Sequence, residues 1–289
     1  MKSNIAVSSL FMPGTGRSAA GIGVVVLSAT AIAATPGFAQ AQPATIEAAD
    51  TAWMIMATGL VLMMTIPGLA LFYCGMVRKK NVLATMAPSL LCTMLGSLLW
   101  VAVGYSLVFS GDGPLIGDLG RALLRGIGMD TVAPQTRIPE MLFMLYQMTF
   151  AVITVALVAG SVADRMRFAA FVWFAALWLI FVYAPIAHWV WGGGFLTATA
   201  DRPGVLDFAG GTVVHLNAGI AGLVGAYVIG KRRGYGSENF APYDLTLAVI
   251  GTGLLWVGWF GFNGGSALGA NSRAVFAIAA THLAASGGR

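Results

Sequence analysis

Long apolar stretches separated by short polar segments make up most of the chain after residue 50. They predict helices at about residues 51–77, 82–109, 140–162, 168–191, 208–230 and 245–263. Each stretch is long enough to cross about 30 Å of hydrocarbon, which takes roughly 18 to 20 residues. The pattern therefore predicts an all-α polytopic membrane protein.

A seventh apolar segment begins near Ala274 and has only about a dozen residues before the sequence ends. A segment of that length is too short to span a bilayer. Because natural polytopic proteins rarely stop halfway across a membrane, we expect that this sequence is truncated.

The start of the chain has the composition of a secretory signal peptide. Lys2 and Arg17 precede an apolar stretch, and small residues such as Ala39 follow it. This order is typical of a segment that signal peptidase removes. We therefore expect residues 1–41 to be cleaved and residues 42–289 to form the membrane domain. The alternative is an uncleaved first helix.

Basic residues cluster at one end of every second predicted helix, at positions 78–80, 165–167 and 231–233. These ends lie on one side of the membrane, which the positive-inside rule makes cytoplasmic. Only 9% of the residues are charged, so the net charge of +5 is better explained by topology than by nucleic-acid binding. The expected location is a bacterial inner (cytoplasmic) membrane with the mature N-terminus outside. We call that opposite side the outer side.

The fifth predicted helix carries an ionisable side chain at bilayer depth, where such groups are costly and commonly functional. If the helix starts at Phe208, the residues on one face are Phe208, Gly211, Thr212 and His215. Asp207, at the helix start, suits an N-cap, with direct ligand contact as the alternative. For His215 the alternative is a structural histidine bonded to a backbone carbonyl.

Aromatic rings and a hydroxyl recur near the outer ends of predicted helices three to six. The set comprises Tyr146, Phe150, Trp191, Phe208, Trp259, Phe262 and Ser266. Aromatic faces attract compact cations, and no basic residue accompanies these rings to bind an anion. The residues therefore predict that a small cation with hydrogen-bond donors is met at an outer vestibule.

Two further interpretations remain open at this point. His188, near the outer end of helix four, is explained by solvation at the membrane interface, but His188 and His215 could also form a bis-histidine haem site. The sequence offers neither a nucleophile–base pair nor a metal cluster, and Cys74 and Cys92 lie in apolar segments. We therefore expect no enzyme activity and no cofactor.

Four segments resemble signatures of the Amt/Mep ammonium transporters, in the order found in that family. They are residues 66–81, 188–194, 207–219 and 258–266, the last of which runs Gly-Trp-Phe-Gly-Phe-Asn-Gly-Gly-Ser. The resemblance covers the chain from about residue 50 onward. It implies an eleven-helix protomer built from an inverted repeat of five helices, assembled as a homotrimer with one pore per protomer.

The resemblance also implies three groups of site residues. The ammonium-recognition residues are Phe150, Trp191, Ser266 and Asp207. The gate is the stacked pair Phe150 and Phe208. The pore-lining residues are His215, Trp259 and Phe262, with His215 as the first of two pore histidines.

The implied function is transport of ammonium or ammonia across the cytoplasmic membrane. Desolvation favours the neutral form of a titratable group, so ammonium is expected to lose a proton near the gate. Ammonia then passes along the hydrophobic pore while the histidines relay the proton. The alternative is an ammonium sensor with the same fold.

The second pore histidine of the family and the tail that meets regulatory proteins of the PII class would follow residue 289. We therefore expect residues 1–289 alone to form no working channel, because the proton relay is incomplete. Liposomes containing only this chain should take up no more radiolabelled methylammonium than empty liposomes. Uptake above that background would show the expectation to be wrong.

Overall fold

The computed structural model describes residues 45–199 and 201–288. The predicted signal peptide lies outside the described residues, which belong to one compact unit. Six helices of this unit are long and apolar enough to span a membrane: α1 (Ala48–Gly75), α2 (Lys79–Phe109), α3 (Glu140–Val162), α4 (Phe168–Trp191), α5 (Gly211–Ile229) and α6 (Leu245–Gly264). A further helix, α7, covers Ser272–Gly287.

The predicted all-α class is confirmed, and most helix bounds agree with the sequence pattern. The bounds of α3 and α4 are those predicted, while α1 and α2 each begin three residues earlier than expected. The start of α5 is the main difference, since the helix begins at Gly211 and not at Phe208. The first residues of the predicted fifth helix therefore belong to a loop on the outer side.

Five of the six spans contain a π-helical segment, in which the hydrogen bonds run from residue i to i+5. These segments are Met64–Leu69, Trp100–Gly104, Leu179–Tyr183, Gly211–Leu216 and Phe260–Gly264. Such segments are rare and are frequently found at functional sites. Here two of them carry His215 and Phe262, so the regular 3.6-residue spacing does not hold at either residue.

Helix α3 is the centre of the bundle and packs against α1, α2 and α5. In its most apolar stretch 78% of the residues are buried, more than in any other span described. Its serine and threonine hydroxyl groups bond to their own helix, as Thr154 does to the carbonyl oxygen of Phe150 at 2.5 Å. Buried polar atoms are thereby satisfied without contact with lipid, which a membrane interior requires.

The C-terminal end of α5 is held by an arginine from the turn between α3 and α4. The guanidinium group of Arg165 donates to the carbonyl oxygens of Gly230 at 2.7 Å and Ser161. The last carbonyls of a helix have no partner within it, so this contact satisfies an otherwise orphaned acceptor. One of the basic clusters that indicate topology therefore also joins α3 to α5.

Glycines line a close contact between α1 and α6. A Cβ atom added at Gly251 would lie 2.3 Å from the backbone nitrogen of Phe72, and one added at Gly75 would lie 2.5 Å from that of Ala248. Without side chains at these positions, the two backbones approach closely and pack by dispersion, as membrane helices commonly do. This contact fixes α6, and with it the outer-side residues that follow.

Gly251→Ala should destabilise the protein, because the new methyl group would meet backbone atoms that have no freedom to move. Overpacking of this kind costs about 1–3 kcal/mol, of which the better helix propensity of alanine recovers about 1 kcal/mol. Thermal unfolding in detergent should therefore occur at a lower temperature.

The matched control is Gly253→Ala on the same helix, where an added Cβ atom has no neighbour within 4 Å. This control should unfold no earlier than the parent chain. Equal unfolding temperatures for both variants would contradict the close packing of α1 on α6.

Candidate functional site

The outer ends of α2, α3 and α4, together with the segments before α5 and after α6, surround a cavity of about 330 Å³, which we call the outer cavity. Its lining residues are Phe109, Phe143, Gln147, Phe150, Val190, Trp191, Thr197, Ala198, Val205, Asp207, Phe208, Ser266 and Leu268. Asp207 is the only charged residue of this lining, and no basic side chain belongs to it. Aromatic rings and one carboxylate suit a cation and disfavour an anion.

Asp207 caps α5 through four backbone N–H groups. One carboxylate oxygen accepts from Gly210 and Gly211 at 2.5 and 2.9 Å, and the other accepts from Thr212 and Val213, both at 2.9 Å. These are the orphan donors that open a helix, and a carboxylate there also complements the helix dipole. The geometry therefore agrees with the predicted capping role of Asp207.

The loop before α5 needs a glycine to bring these donors to the carboxylate. Gly210 has a φ of 90°, in the left-handed region that residues with a Cβ atom rarely adopt. A Cβ atom at this position would also lie 2.6 Å from a methyl group of Val214. The pair Asp207 and Gly210 therefore determines where α5 begins.

Trp191 is tied to the same loop. Its indole N–H donates to the backbone carbonyl oxygen of Asp207 at 2.9 Å. Its ring meets that of Phe150 edge to face, with centroids 5.8 Å apart and an angle of 85° between the planes. Asp207 thus positions an aromatic wall of the outer cavity with its backbone while its side chain caps the helix.

Ser266 lies just after the end of α6 and faces the outer cavity. Its hydroxyl group donates to the carbonyl oxygen of Phe262 at 2.8 Å. The hydroxyl of Tyr146, on α3, reaches the same carbonyl oxygen at 2.8 Å and lies 3.4 Å from the Ser266 oxygen. The structure therefore brings Ser266, Trp191 and Phe150 to one cavity, as expected from the sequence.

The ring that stacks on Phe150 is Phe262 and not Phe208, so the predicted pairing is wrong. The centroids of Phe150 and Phe262 are 4.3 Å apart at 32°, and both side chains are 1% exposed. Phe208 is 46% exposed and lies in the capping loop. The resemblance implied the pairing with Phe208, but the helix starts three residues after Phe208, which leaves that ring in the loop.

His215 lies on the other side of this stack. Its ring centroid is 5.7 Å from that of Phe262, and it lines a second cavity of about 490 Å³, the inner cavity. This cavity runs toward the C-terminal ends of α1 and α5, where Tyr73 and Ala226 border it. The rings of Trp191, Phe150 and Phe262 thus form a continuous series from the outer cavity to His215, which lines the inner cavity.

Trp259, by contrast, borders neither of these cavities. Its side chain is 37% exposed on α6, one turn from Phe262 along the helix. The π-helical segment that begins at the next residue turns Phe262 into the core and away from the Trp259 face. The predicted pore-lining stripe of α6 therefore separates into a buried phenylalanine and a half-exposed tryptophan.

His188 is fully buried, so the prediction that solvent at the membrane interface surrounds it is wrong. Its Nδ1 lies 2.7 Å from the carbonyl oxygen of Val108, and its Nε2 lies 2.6 Å from that of Gly113. The loop after α2 folds over this histidine, a long-range contact that helical periodicity does not reveal. Because both ring nitrogens face carbonyl oxygens, neither is directed at a shared haem with His215.

Sequence reasoning placed Tyr146 on the right helix but did not predict the role of its hydroxyl. The side chain is 1% exposed and its oxygen bonds to the end of α6, more than a hundred positions away. A tyrosine one turn before Phe150 was the available signal, since a buried phenol commonly needs a hydrogen-bond partner.

The fold and the site together define a multi-pass membrane protein with an aromatic, cation-compatible cavity on one side of a ring stack and His215 on the other. The family model of the Ammonium Transporter Family matches residues 52–289, and the chain belongs to this family.

A protein of Aquifex aeolicus described as an ammonium transporter is 47% identical over 251 residues, which are 86% of this chain and 57% of that protein. The crystal structure of Candida albicans Mep2 is similar with a TM-score of 0.75 and 37% identity, over 83% of this chain and 53% of the Mep2 chain. A structure titled "Sensor Amt Protein" is similar with a TM-score of 0.72 and 30% identity, over 82% of this chain and 59% of that one. The chain thus spans little more than half the length of these relatives.

Asp207→Ala should loosen the start of α5, because four N–H groups would lose their acceptor. Loss of an N-cap side chain costs about 1 kcal/mol, which corresponds to roughly fivefold faster exchange. Hydrogen–deuterium exchange of the amides at Gly210 to Val213 should therefore accelerate. Asp201→Ala, in an exposed loop, is the control and should leave these amides unchanged. Unaltered protection in Asp207→Ala would rule out the capping role.

Proposed function

We propose that this protein takes part in the transport of ammonium or ammonia across the cytoplasmic membrane. The observation that carries the proposal is the continuous order of rings from Trp191 through Phe150 and Phe262 to His215, with neighbouring centroids 5.8, 4.3 and 5.7 Å apart. This order joins a cavity suited to cations with a histidine that can exchange a proton.

Recognition takes place in the outer cavity. The ring faces of Trp191 and Phe150 attract an ammonium ion through the ring quadrupole, an effect of about 0.5–2 kcal/mol that grows as water is removed. The oxygen of Ser266 accepts a hydrogen bond from the ion. Asp207 supports this arrangement through the helix cap and the bond to Trp191, since both of its carboxylate oxygens already accept two N–H groups each.

The stack of Phe150 on Phe262 forms the gate beneath this site. An ammonium ion that enters the apolar stack loses its water of hydration, which is costly for any charged group. Desolvation therefore favours release of a proton, and neutral ammonia crosses the gate into the inner cavity. His215 borders that cavity, and its imidazole can take up and release a proton there. Phe208, at the rim of the outer cavity, has no part in the stack.

Assembly and topology follow from the same proposal. We place the mature N-terminus outside and the basic ends of α1, α3 and α5 in the cytoplasm. The proposed assembly is a homotrimer with one path per protomer, preceded during biosynthesis by a signal peptide of residues 1–41. A PII-class regulatory protein is the proposed cytoplasmic partner, through parts of the protein that would follow residue 289.

A sensor of the same fold is the second candidate function. The structure titled "Sensor Amt Protein" supports it, but that chain is 30% identical, whereas the Aquifex aeolicus relative described as a transporter is 47% identical. Transport is therefore the better supported of the two. A sensor would bind ammonium without carrying it into liposomes, so an uptake assay separates the two functions.

Asp207→Ala should abolish transport, because it loosens both the start of α5 and the position of Trp191. We suggest a chimera in which residues 1–289 continue into the C-terminal remainder of the Aquifex aeolicus relative. Uptake of radiolabelled methylammonium by liposomes should be clear for the parent chimera and lost in Asp207→Ala.

Asp201→Ala in the same chimera is the control and should retain normal uptake. Normal uptake by the Asp207→Ala chimera would contradict the proposed role of Asp207. No uptake by the parent chimera, while the intact relative transports under the same conditions, would argue against transport by this chain.

A further inference from the structure

A small hydrogen-bond network joins α3 to the end of α6 directly behind the outer cavity. The Tyr146 hydroxyl lies 2.8 Å from the carbonyl oxygen of Phe262 and 3.0 Å from that of Gly261. Ser266 donates to the same Phe262 carbonyl at 2.8 Å, and the two hydroxyl oxygens are 3.4 Å apart. Tyr146 does not line the cavity, whereas Ser266 does.

The network satisfies the end of α6. The last carbonyls of a helix find no N–H partner within it, and here the helix ends at Gly264 with a π-helical turn. The buried phenol of Tyr146 supplies a donor from a neighbouring helix. A Cβ atom at Gly265 would lie 2.6 Å from the Tyr146 oxygen, so a glycine at this position permits the approach.

The directions of the Tyr146 and Ser266 hydroxyl protons determine whether Ser266 acts as a hydrogen-bond donor or acceptor toward a ligand in the cavity. Each hydroxyl group has one proton and two acceptor lone pairs. The proton of Ser266 has two acceptors on the protein side, the Phe262 carbonyl oxygen and the Tyr146 oxygen. Because either acceptor draws the proton away from the cavity, the Ser266 oxygen faces the cavity as an acceptor.

We propose that Tyr146 is a positioning residue for ammonium recognition, acting through Ser266. By holding the carbonyl groups at the end of α6 against α3, it keeps Ser266 oriented as a hydrogen-bond acceptor. The outer cavity thereby prefers cations that carry N–H donors. This inference rests on the proposed function, because it concerns how the same site recognises its substrate.

Tyr146→Phe and Ser266→Ala, singly and together, test the proposal in the full chain in lipid nanodiscs. Each single variant should weaken methylammonium binding, measured by titration calorimetry, by about three- to tenfold, the usual effect of one hydrogen bond. If Tyr146 acts through Ser266, the double variant should bind no more weakly than Ser266→Ala alone. A merely structural role for Tyr146 would instead give effects that add.

Tyr105→Phe is the matched control, since it removes a buried phenol that bonds to Glu140 at 3.0 Å outside the cavity lining. It should leave the dissociation constant unchanged within about twofold. Additive losses, or unchanged binding in Tyr146→Phe, overturn this inference and leave the proposed function intact. If the parent chain binds no methylammonium, the recognition role of the outer cavity fails, and this inference fails with it.

Discussion

The four hydrogen bonds that the Asp207 carboxylate accepts fix the geometry of the whole site. They determine that α5 begins at Gly211, and therefore the depth at which His215 stands in the bundle. The backbone oxygen of Asp207 also accepts the indole N–H of Trp191, which links the aromatic wall of the outer cavity to the start of α5. Near the boundary of the hydrocarbon region, water is a poor substitute for these bonds, and the cost of losing the cap rises accordingly.

The rings behind this cap form a second constraint. Edge-to-face and offset pairs of aromatic rings each contribute about 0.5–1.5 kcal/mol to stability beyond area burial. A series of paired rings is therefore held firmly in place. Phe150 belongs to three such pairs, with Tyr146, Trp191 and Phe262. The proposed gate of Phe150 and Phe262 is consequently a packed element of the bundle and no part of a loop.

The sequence was sufficient for the helices and for several site residues, and insufficient where local geometry departs from a regular helix. Hydropathy located α3 and α4 to the residue, and the rule for helix caps identified Asp207. The resemblance implied Phe208 as the stacking partner of Phe150. Regular helical spacing from Phe208 to His215 agreed with that choice, whereas the chain there has a left-handed glycine and a π-helical segment. The burial of His188 was missed for another reason, since it depends on the fold of a distant loop.

Most of the polar groups that line the outer cavity are already committed to the backbone. The Thr197 hydroxyl donates to carbonyl oxygens of α4 and accepts from Gly193, and the Asp207 oxygens are occupied by the helix cap. The Ser266 hydroxyl donates its proton to the carbonyl oxygen of Phe262, away from the cavity. Its oxygen therefore faces the cavity as an acceptor. A site with aromatic faces, a hydroxyl oxygen and no basic side chain in its lining suits a small N–H cation better than an anion. Its precision depends on the glycine contact between α1 and α6, which places the end of α6 beside α3.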